Sequence, residues 1–399
     1  MANIIYITNN YNIVCFIKLT KNMRELKIKN IFKKRNKEYN SNFKNYIPYV
    51  KRKLDLIIKE ALPKDEIIEE VMEFYLKEGD LYREDFDKLY INPSLKKYIE
   101  KYEIVPKIEY DDSKLNYKSN FYIRYPILGD IIGSCYEFKN HDKVNDIFND
   151  IHTFTDDTVL SIATMEAILE DDKNPDFKKW YLKYFNKYED AGFGGAFYRY
   201  AKNNSNEKGY GSFGNGSAMR VAYIGLYYND SKDVIKYAFL SSIVTHNHFE
   251  GVKAAVIIAM CVWMAKKGYS KQDIWLYVYN HYHKNQEELE LLKEFNFYYY
   301  DFSKEFPDIT KKQKEDVSLY AGYAVPYAID CFYKTNSYEE CMLEIINKFG
   351  DTDTICAIAS SVAGIYYNPY DKEFIDEKLK ACLDNYLYNK IIEKDNENG

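Results

Sequence analysis

The sequence lacks several features that mark common classes of protein. Its seven cysteines are scattered singly with no CxxC pair, so neither a zinc ribbon nor a disulfide framework is indicated. It has no GxSxG nucleophile elbow and no GK[ST] phosphate loop. The longest apolar run, residues 254–265, is shorter than the roughly 20 residues of a bilayer span, so no membrane partner is expected. The first residues lack a basic leader, and we therefore expect a cytoplasmic protein with reduced thiols.

Composition and charge indicate a folded protein with an uneven surface. Hydrophobic residues make up 46% of the 399, which is enough for a sizeable core. The formal net charge is −6, yet residues 1–64 contain 15 Lys and Arg against 4 Asp and Glu. This basic region is either a solvated lysine-rich surface or an arm that binds nucleic acid or an acidic partner.

Apolar spacing divides the chain into two parts. Short strand-like runs and a basic stretch occupy residues 1–45, and residues 49–104 have the spacing of a small, mainly helical appendage. From residue 121, long apolar segments of helical period alternate with glycine-rich loops, which predicts an all-α domain. We predict an N-terminal extension at 1–118, a catalytic domain at 119–390 and a polar tail at 391–399. Helices are predicted over 159–169, 234–244, 252–264, 274–282, 320–333, 338–348 and 355–366.

Two aspartate–threonine clusters are the most informative motifs. They read FTDDT at residues 154–158 and GDTDT at residues 350–354, and an apolar helical run follows each. One such cluster alone is typical of a helix cap with acids favouring the helix dipole. Two clusters would bring four aspartates into a core, where their charges need compensation. Two divalent cations would balance four carboxylates, and oxygen ligands suit Mg²⁺, Mn²⁺ or Ca²⁺ rather than Zn²⁺.

A third motif, GDIIGSCYEF at residues 129–138, supplies two more acids. Asp130 and Glu137 are seven residues apart, which predicts one face of a helix. Glu137 is then a candidate general acid or base, a gate over a metal site, or simply a surface carboxylate.

Two further segments are candidates for binding a ligand. GSFGNGSAMR at residues 211–220 could gather backbone N–H groups around an anion such as a pyrophosphate, with Phe213 stacking on a base or ribose, or could be a flexible loop. In THNHFEG at residues 245–251, two histidines two positions apart do not share a helical face. His246 is therefore either a satisfied core histidine or part of a binding loop.

In this order, these segments resemble the ADP-ribosylglycohydrolase family. The matching strings are GDIIGSCYEF, FTDDT, SFGNGSAMR, THNHFEG and FGDTDT, with AVPYAIDCF at residues 324–332 as weaker support. They cover about residues 125–368, and the FTDDT and GDTDT pair is the most specific. The resemblance does not extend to the first 120 residues or so.

The resemblance implies a compact all-α fold with a binuclear Mg²⁺ or Mn²⁺ site. It assigns metal binding to Thr155, Asp156, Asp157, Asp351, Asp353 and Thr354. Asp156 and Asp353 are the bridging candidates. It assigns catalysis to Glu137, Asp156 and Asp157. It assigns substrate binding to Phe213, Gly214, Asn215, Gly216, Ser217 and His246.

The resemblance also implies an activity. We expect hydrolysis of the glycosidic bond that joins ADP-ribose to a protein side chain, with ADP-ribosylated protein as the partner. The alternatives are hydrolysis of another ADP-ribose conjugate, either a small molecule or nucleic acid, and a non-catalytic ADP-ribose-binding module.

Overall fold

A computed structural model gives the fold. It describes residues 3–9, 12–18, 102–103, 119–149, 151, 153–203, 209–284, 286, 289, 299–303, 311–348 and 350–396. The helices predicted within residues 49–104, apart from residues 102–103, lie outside the described residues. Much of the basic region and the last three residues of the tail lie outside them as well. The domain boundaries stay predictions.

The described part of the N-terminal extension contains a β-hairpin. Strand β1 (Asn3–Asn9) pairs antiparallel with β2 (Asn12–Lys18), in a register that runs from Asn3 opposite Lys18 to Asn9 opposite Asn12. This agrees with the strand-like runs of the sequence.

From residue 119 onward the described residues form helices joined by loops that range from one residue to about 20 residues. The helices are α1 (Ser119–Tyr122), α2 (Arg124–Ser134), α3 (Asp156–Glu170), α4 (Phe177–Lys187), α5 (Gly195–Lys202), α6 (Ala222–Tyr227), α7 (Ser231–Ser242), α8 (Phe249–Lys266), α9 (Lys271–Tyr282), α10 (Lys311–Ser318), α11 (Ala321–Lys334), α12 (Tyr338–Ile346), α13 (Thr352–Tyr367), α14 (Lys372–Cys382) and α15 (Asn385–Asn396). A short 3₁₀ turn spans Asn215–Ser217. The predicted all-α architecture is confirmed.

Polar side chains at the helix starts explain where several helices begin. Ser270 and Asp273 form a reciprocal capping box at α9, and Ser337 caps α12 by accepting the Glu340 N–H at 3.1 Å. Within α8, by contrast, the residues from 254 to 262 are all almost fully buried. Such a helix is held by packing on every side, which is why it is apolar around its whole circumference.

Helices α2 and α13 make a close backbone contact, and glycines permit it. A Cβ atom on Gly129 would lie 2.4 Å from the Cys356 carbonyl oxygen. A Cβ on Gly133 would lie 2.2 Å from the Thr352 carbonyl oxygen and 2.6 Å from the Asp353 Cα. Only a residue without a side chain fits at either position. The C-terminal end of α2 therefore lies directly against the first turn of α13.

The chain turns sharply after α2, and this corrects one prediction. Helix α2 ends at Ser134, so Glu137 does not share a helical face with Asp130. Phe138 takes a left-handed conformation, with φ of 50°, and its N–H donates to the Gly350 carbonyl at 3.0 Å. That contact with the GDTDT segment competes with continuation of the helix. None of the described helices combines the length and the apolar character that a bilayer crossing demands.

Gly133→Ala tests the close packing of α2 and α13. The new methyl would overlap backbone atoms that cannot rotate away, so we expect a loss of about 3 kcal/mol or more in the free energy of unfolding. Urea unfolding followed by circular dichroism measures it. The matched control is Gly194→Ala, where a Cβ meets nothing within 4 Å, and we expect a change within about 0.5 kcal/mol. Equal stability of the two variants would refute this packing.

Candidate metal centre and substrate loop

Asp130, at the middle of α2, fixes the start of α3. Its Oδ1 accepts the Thr155 hydroxyl at 2.8 Å. Its Oδ2 accepts the Thr155 N–H at 2.9 Å, the Thr158 N–H at 3.1 Å and the Thr158 hydroxyl at 2.5 Å. Four donors on one carboxylate orient the first turn of α3, and with it the carboxylates of Asp156 and Asp157.

The two aspartate–threonine clusters meet across α3 and α13. The Thr354 hydroxyl donates to Asp157 Oδ2 at 3.1 Å. Carboxylate oxygens of Asp130, Asp157 and Asp353 lie within 4.8 Å of one another, as do those of Glu137, Asp351 and Asp353. Asp353 belongs to both groups and so links them into one cluster.

Burial and mutual repulsion raise the pKa of the acids in this cluster. Burial, and then the Asp353 charge, raise the pKa of Asp130 to about 6 and that of Glu137 to about 7. The same two causes raise the pKa of Asp156, Asp157 and Asp351 well above the usual range. Among the residues that the structure describes, no Lys or Arg forms a salt bridge with any of these carboxylates.

The residues present fit a bound cation. Two buried carboxylate oxygens, Asp157 Oδ1 and Asp353 Oδ1, have no hydrogen-bond partner. An orphaned buried acceptor is costly, and a cation is a natural partner for such an oxygen. The donors are all oxygens, which favours hard cations such as Mg²⁺, Mn²⁺ or Ca²⁺. This acidic cluster can therefore hold metal ions.

Two other predicted ligands, Thr155 and Asp156, lie outside the two groups of close carboxylate oxygens. Thr155 donates its hydroxyl to Asp130, so it acts as a bridge between α2 and α3. Asp156 is half-buried and belongs to neither close oxygen group, and its Oδ1 lies 3.8 Å from the Cβ position of Gly192. Asp157, by contrast, belongs to one of these groups together with Asp353.

Glu137 reaches the cluster from the turn after α2. It is only partly buried, whereas its neighbours Asp351 and Asp353 are buried. It is therefore the member of that group most open to a ligand arriving from outside.

The glycine-rich loop is held against the segment before α11. The Asn215 N–H donates to the Leu319 carbonyl at 3.0 Å, and the Ala321 N–H donates to the Phe213 carbonyl at 3.2 Å. The Phe213 ring stacks on Tyr320 with centroids 5.3 Å apart. The loop is thus part of the ordered fold rather than a free connection.

The polar side chains of the loop point inward. The amide of Asn215 donates to the Ser318 carbonyl at 3.0 Å and also to Asp351 Oδ2. The Ser217 hydroxyl is buried and donates to the Gly251 carbonyl at 2.7 Å. Asn215 therefore links the predicted substrate loop to the acidic cluster, while the Ser217 side chain fixes the loop to α8.

His246 lies behind this loop. A Cβ on Gly216 would lie 3.2 Å from its Cε1 and 3.3 Å from its Nε2, and a Cβ on Gly214 would lie 3.8 Å from Nε2. Burial, then the charges of Arg220 and His248, lower the pKa of His246 well below its usual value. The ring is therefore neutral and presents its Nε2 edge to residues 214–216.

Sequence reasoning gave no role to several residues that organise the site. Asp130 caps α3, Ser318 accepts the Asp351 N–H at 3.0 Å, and Thr245 contacts His246. The importance of Asp130 could have been predicted, because it lies between Gly129 and Gly133, the glycines of the close helix contact. The role of Ser318 could not have been predicted, because it depends on a tertiary contact with a residue 33 positions away in the sequence.

Comparison with known proteins identifies this arrangement of helices and acids. The sequence model of the ADP-ribosylglycohydrolase family matches residues 127–390, well over half of the chain. The chain therefore belongs to the ADP-ribosylglycohydrolase family. It is a hydrolase of that family, as the order of its motifs predicted.

Individual relatives agree with this assignment. The chain is 26% identical to mouse ADP-ribosylhydrolase ARH3 over 300 residues, covering 60% of this chain and 81% of the relative. It is 27% identical to the human protein of that name over 300 residues, covering 60% and 83%. A putative ADP-ribosyl glycohydrolase of Acanthamoeba polyphaga mimivirus is 23% identical over 299 residues, covering 64% and 88%.

A solved structure supports the fold. A chain of an ADP-ribosylglycohydrolase-related protein complex matches with a TM-score of 0.51 at 20% identity, covering 69% of this chain and 98% of that chain. At this identity the likeness shows the fold alone.

Asp353→Asn tests the charge crowding of the cluster. At pH 8 without divalent cations, removing one of several repelling carboxylates should raise the free energy of unfolding by roughly 1–3 kcal/mol. With saturating Mn²⁺ the wild type should gain stability and the variant should not. Thermal unfolding with chelator and with Mn²⁺ measures both effects.

Asp330→Asn is the matched control for this experiment. Asp330 is also buried, but it is paired with Lys334 at 2.6 Å and accepts the Trp275 N–H at 2.9 Å. Its neutralisation should destabilise the protein to the same extent with chelator and with Mn²⁺. If Asp353→Asn behaves like this control, the cluster is an ordinary buried polar network.

Proposed function

We propose that this chain is a metal-dependent hydrolase that cleaves the glycosidic bond joining ADP-ribose to a protein side chain. The proposal rests on the shared position of Asp353, which joins the two groups of carboxylates into one centre. Family membership supports the reaction class, and the names of the ARH3 relatives support ADP-ribose as the group released.

Two Mg²⁺ or Mn²⁺ ions would be held by Asp157, Asp351 and Asp353, with Thr155, Asp156 and Thr354 completing the set. When bound, such ions supply positive charge that binds sugar hydroxyls and lowers the pKa of a water molecule. The orphaned oxygens of Asp157 and Asp353 support this assignment.

The chain's own residues would orient the substrate and handle protons. Residues 213–217, with His246 behind them, would bind the diphosphate and place the distal ribose toward the acidic cluster. Positive charge develops at the ribose carbon as the glycosidic bond breaks, and the carboxylates stabilise it. Glu137 is partly exposed at the edge of the cluster, so it would hold the proton that passes between water and the leaving group.

Release of free ADP-ribose tests the proposed reaction. We expect release from an arginine- or serine-ADP-ribosylated peptide with Mg²⁺ or Mn²⁺, and none with chelator. Asp353→Ala should lower kcat/KM by about 1,000-fold or more, because an ion site and a bridging charge are lost together. Glu170→Gln, on the exposed end of α3, is the control and should stay within about twofold.

Other outcomes of this assay point to other functions. No release from either peptide, together with tight binding of ADP-ribose, would indicate another conjugate or a binding module. Release that is unaffected by chelator would contradict the metal-dependent mechanism.

Glu137→Gln separates proton transfer from metal binding. The amide keeps the shape of the side chain but cannot exchange a proton, so kcat should fall by about 100-fold or more. Stabilisation by Mn²⁺ should remain, because Asp157, Asp351 and Asp353 are intact. Thermal unfolding with Mn²⁺ and turnover on the same peptide measure the two effects. If Glu137→Gln loses both turnover and stabilisation by Mn²⁺, Glu137 is a metal ligand rather than the group that transfers the proton.

A further inference from the structure

All three N–H protons of Asn215 are used within the protein. Its amide nitrogen Nδ2 donates to the Ser318 carbonyl at 3.0 Å and to Asp351 Oδ2 at 2.5 Å. Its backbone N–H donates to the Leu319 carbonyl at 3.0 Å. A backbone carbonyl can only accept, so the Ser318 contact fixes which end of the amide carries the protons. No donor of Asn215 is therefore left for a phosphate oxygen of a ligand in the loop.

Ser318 holds the backbone of Asp351 from the other side. Its Oγ accepts the Asp351 N–H at 3.0 Å and donates to the Glu315 carbonyl at 2.9 Å. Gly350 permits this approach, because a Cβ there would lie 3.0 Å from the Ser318 Cβ and 3.1 Å from its Oγ. Asn215 and Ser318 together, which we call the Asp351 clamp, thus hold Asp351 at its carboxylate and at its N–H.

The clamp fixes the orientation of the Asp351 carboxylate. Carboxylate oxygens of Asp351, Glu137 and Asp353 lie within 4.8 Å of one another. Like charges at this distance repel, which favours rotation of Asp351 away from its neighbours. Rotation would break the bond from Asn215 and leave a buried amide proton without an acceptor, which is costly. The clamp thus keeps the carboxylate in an arrangement that a cation between the carboxylates would make favourable.

We propose that Asn215 and Ser318 are positioning residues for a metal ligand, and that they hold Asp351 in the orientation in which its carboxylate, beside that of Asp353, binds a divalent cation. The cation rests on the proposed function, whereas the contacts of the clamp do not. The side chain of Asn215 then acts on the metal centre, although its position in the sequence places it in the glycine-rich loop.

The affinity of the full chain for Mn²⁺ tests the clamp, with free Mn²⁺ measured by electron paramagnetic resonance. Asn215→Leu keeps the approximate shape and removes both amide donors, so we expect the Kd for Mn²⁺ to rise about tenfold or more. Ser318→Ala removes the hydroxyl and leaves the carbonyl that accepts from Asn215, and we expect a rise of about threefold or more. A wild-type Kd in both variants overturns the proposal.

Ser217→Ala is the matched control for the loop. Ser217 is fully buried in the same loop, but its hydroxyl donates to the Gly251 carbonyl rather than to the acidic cluster. Its Kd for Mn²⁺ should stay within about twofold of the wild type. A rise as large as that of Asn215→Leu would show that loop packing in general sets the affinity, which overturns the proposal. Circular dichroism with chelator checks folding, and if Asn215→Leu does not fold, Ser318→Ala alone decides.

The same titration separates failure of this inference from failure of the proposed function. A wild type that binds no Mn²⁺ overturns both. A wild type that binds Mn²⁺ but releases no ADP-ribose overturns the hydrolase alone, because a higher Kd in Asn215→Leu would still support the clamp. Equal Kd values in the wild type and in both clamp variants, with release of ADP-ribose intact, overturn the clamp alone.

Discussion

The contact between α2 and α13 is the constraint on which the site depends. Because Gly129 and Gly133 have no side chains, the two backbones touch, and the Thr352 hydroxyl donates to the Gly133 carbonyl at 2.8 Å. This contact sets Asp130 beside Asp353, and Asp130 in turn sets the first turn of α3. One helix pair thus determines where three carboxylate-bearing segments meet.

The same contact brings buried acids together, which is unfavourable for the protein when no cation is bound. Several acids are buried together, and their pKa values rise because burial and neighbouring charges disfavour ionisation. A core selected for stability alone would not keep such a cluster. Bound divalent cations would compensate these buried acids, which is the physical reason to propose a metal centre here.

Local apolar spacing predicted the helices, whereas the meeting of the two acidic clusters was predicted from their like composition and from the family resemblance. Apolar periodicity marks α3 and α13, and the cap residues mark their starts. It failed for Glu137, which was placed on a helix that ends three residues earlier, since the Phe138–Gly350 contact is tertiary. Asp156 and Asp353 stay predictions as bridging residues; Asp353 belongs to both groups of close carboxylate oxygens, whereas Asp156 belongs to neither. The Ser217 hydroxyl donates to the Gly251 carbonyl, and this too is a tertiary contact that local sequence does not show.

Anomalous diffraction from crystals grown with Mn²⁺ and ADP-ribose tests the central claim most directly. The account predicts two manganese peaks about 4 Å apart or less, both contacting Asp353, with the diphosphate at residues 214–217. Absence of manganese from this cluster at saturating concentration, with ADP-ribose bound in the loop, would contradict a metal-dependent hydrolase and leave a binding protein in its place.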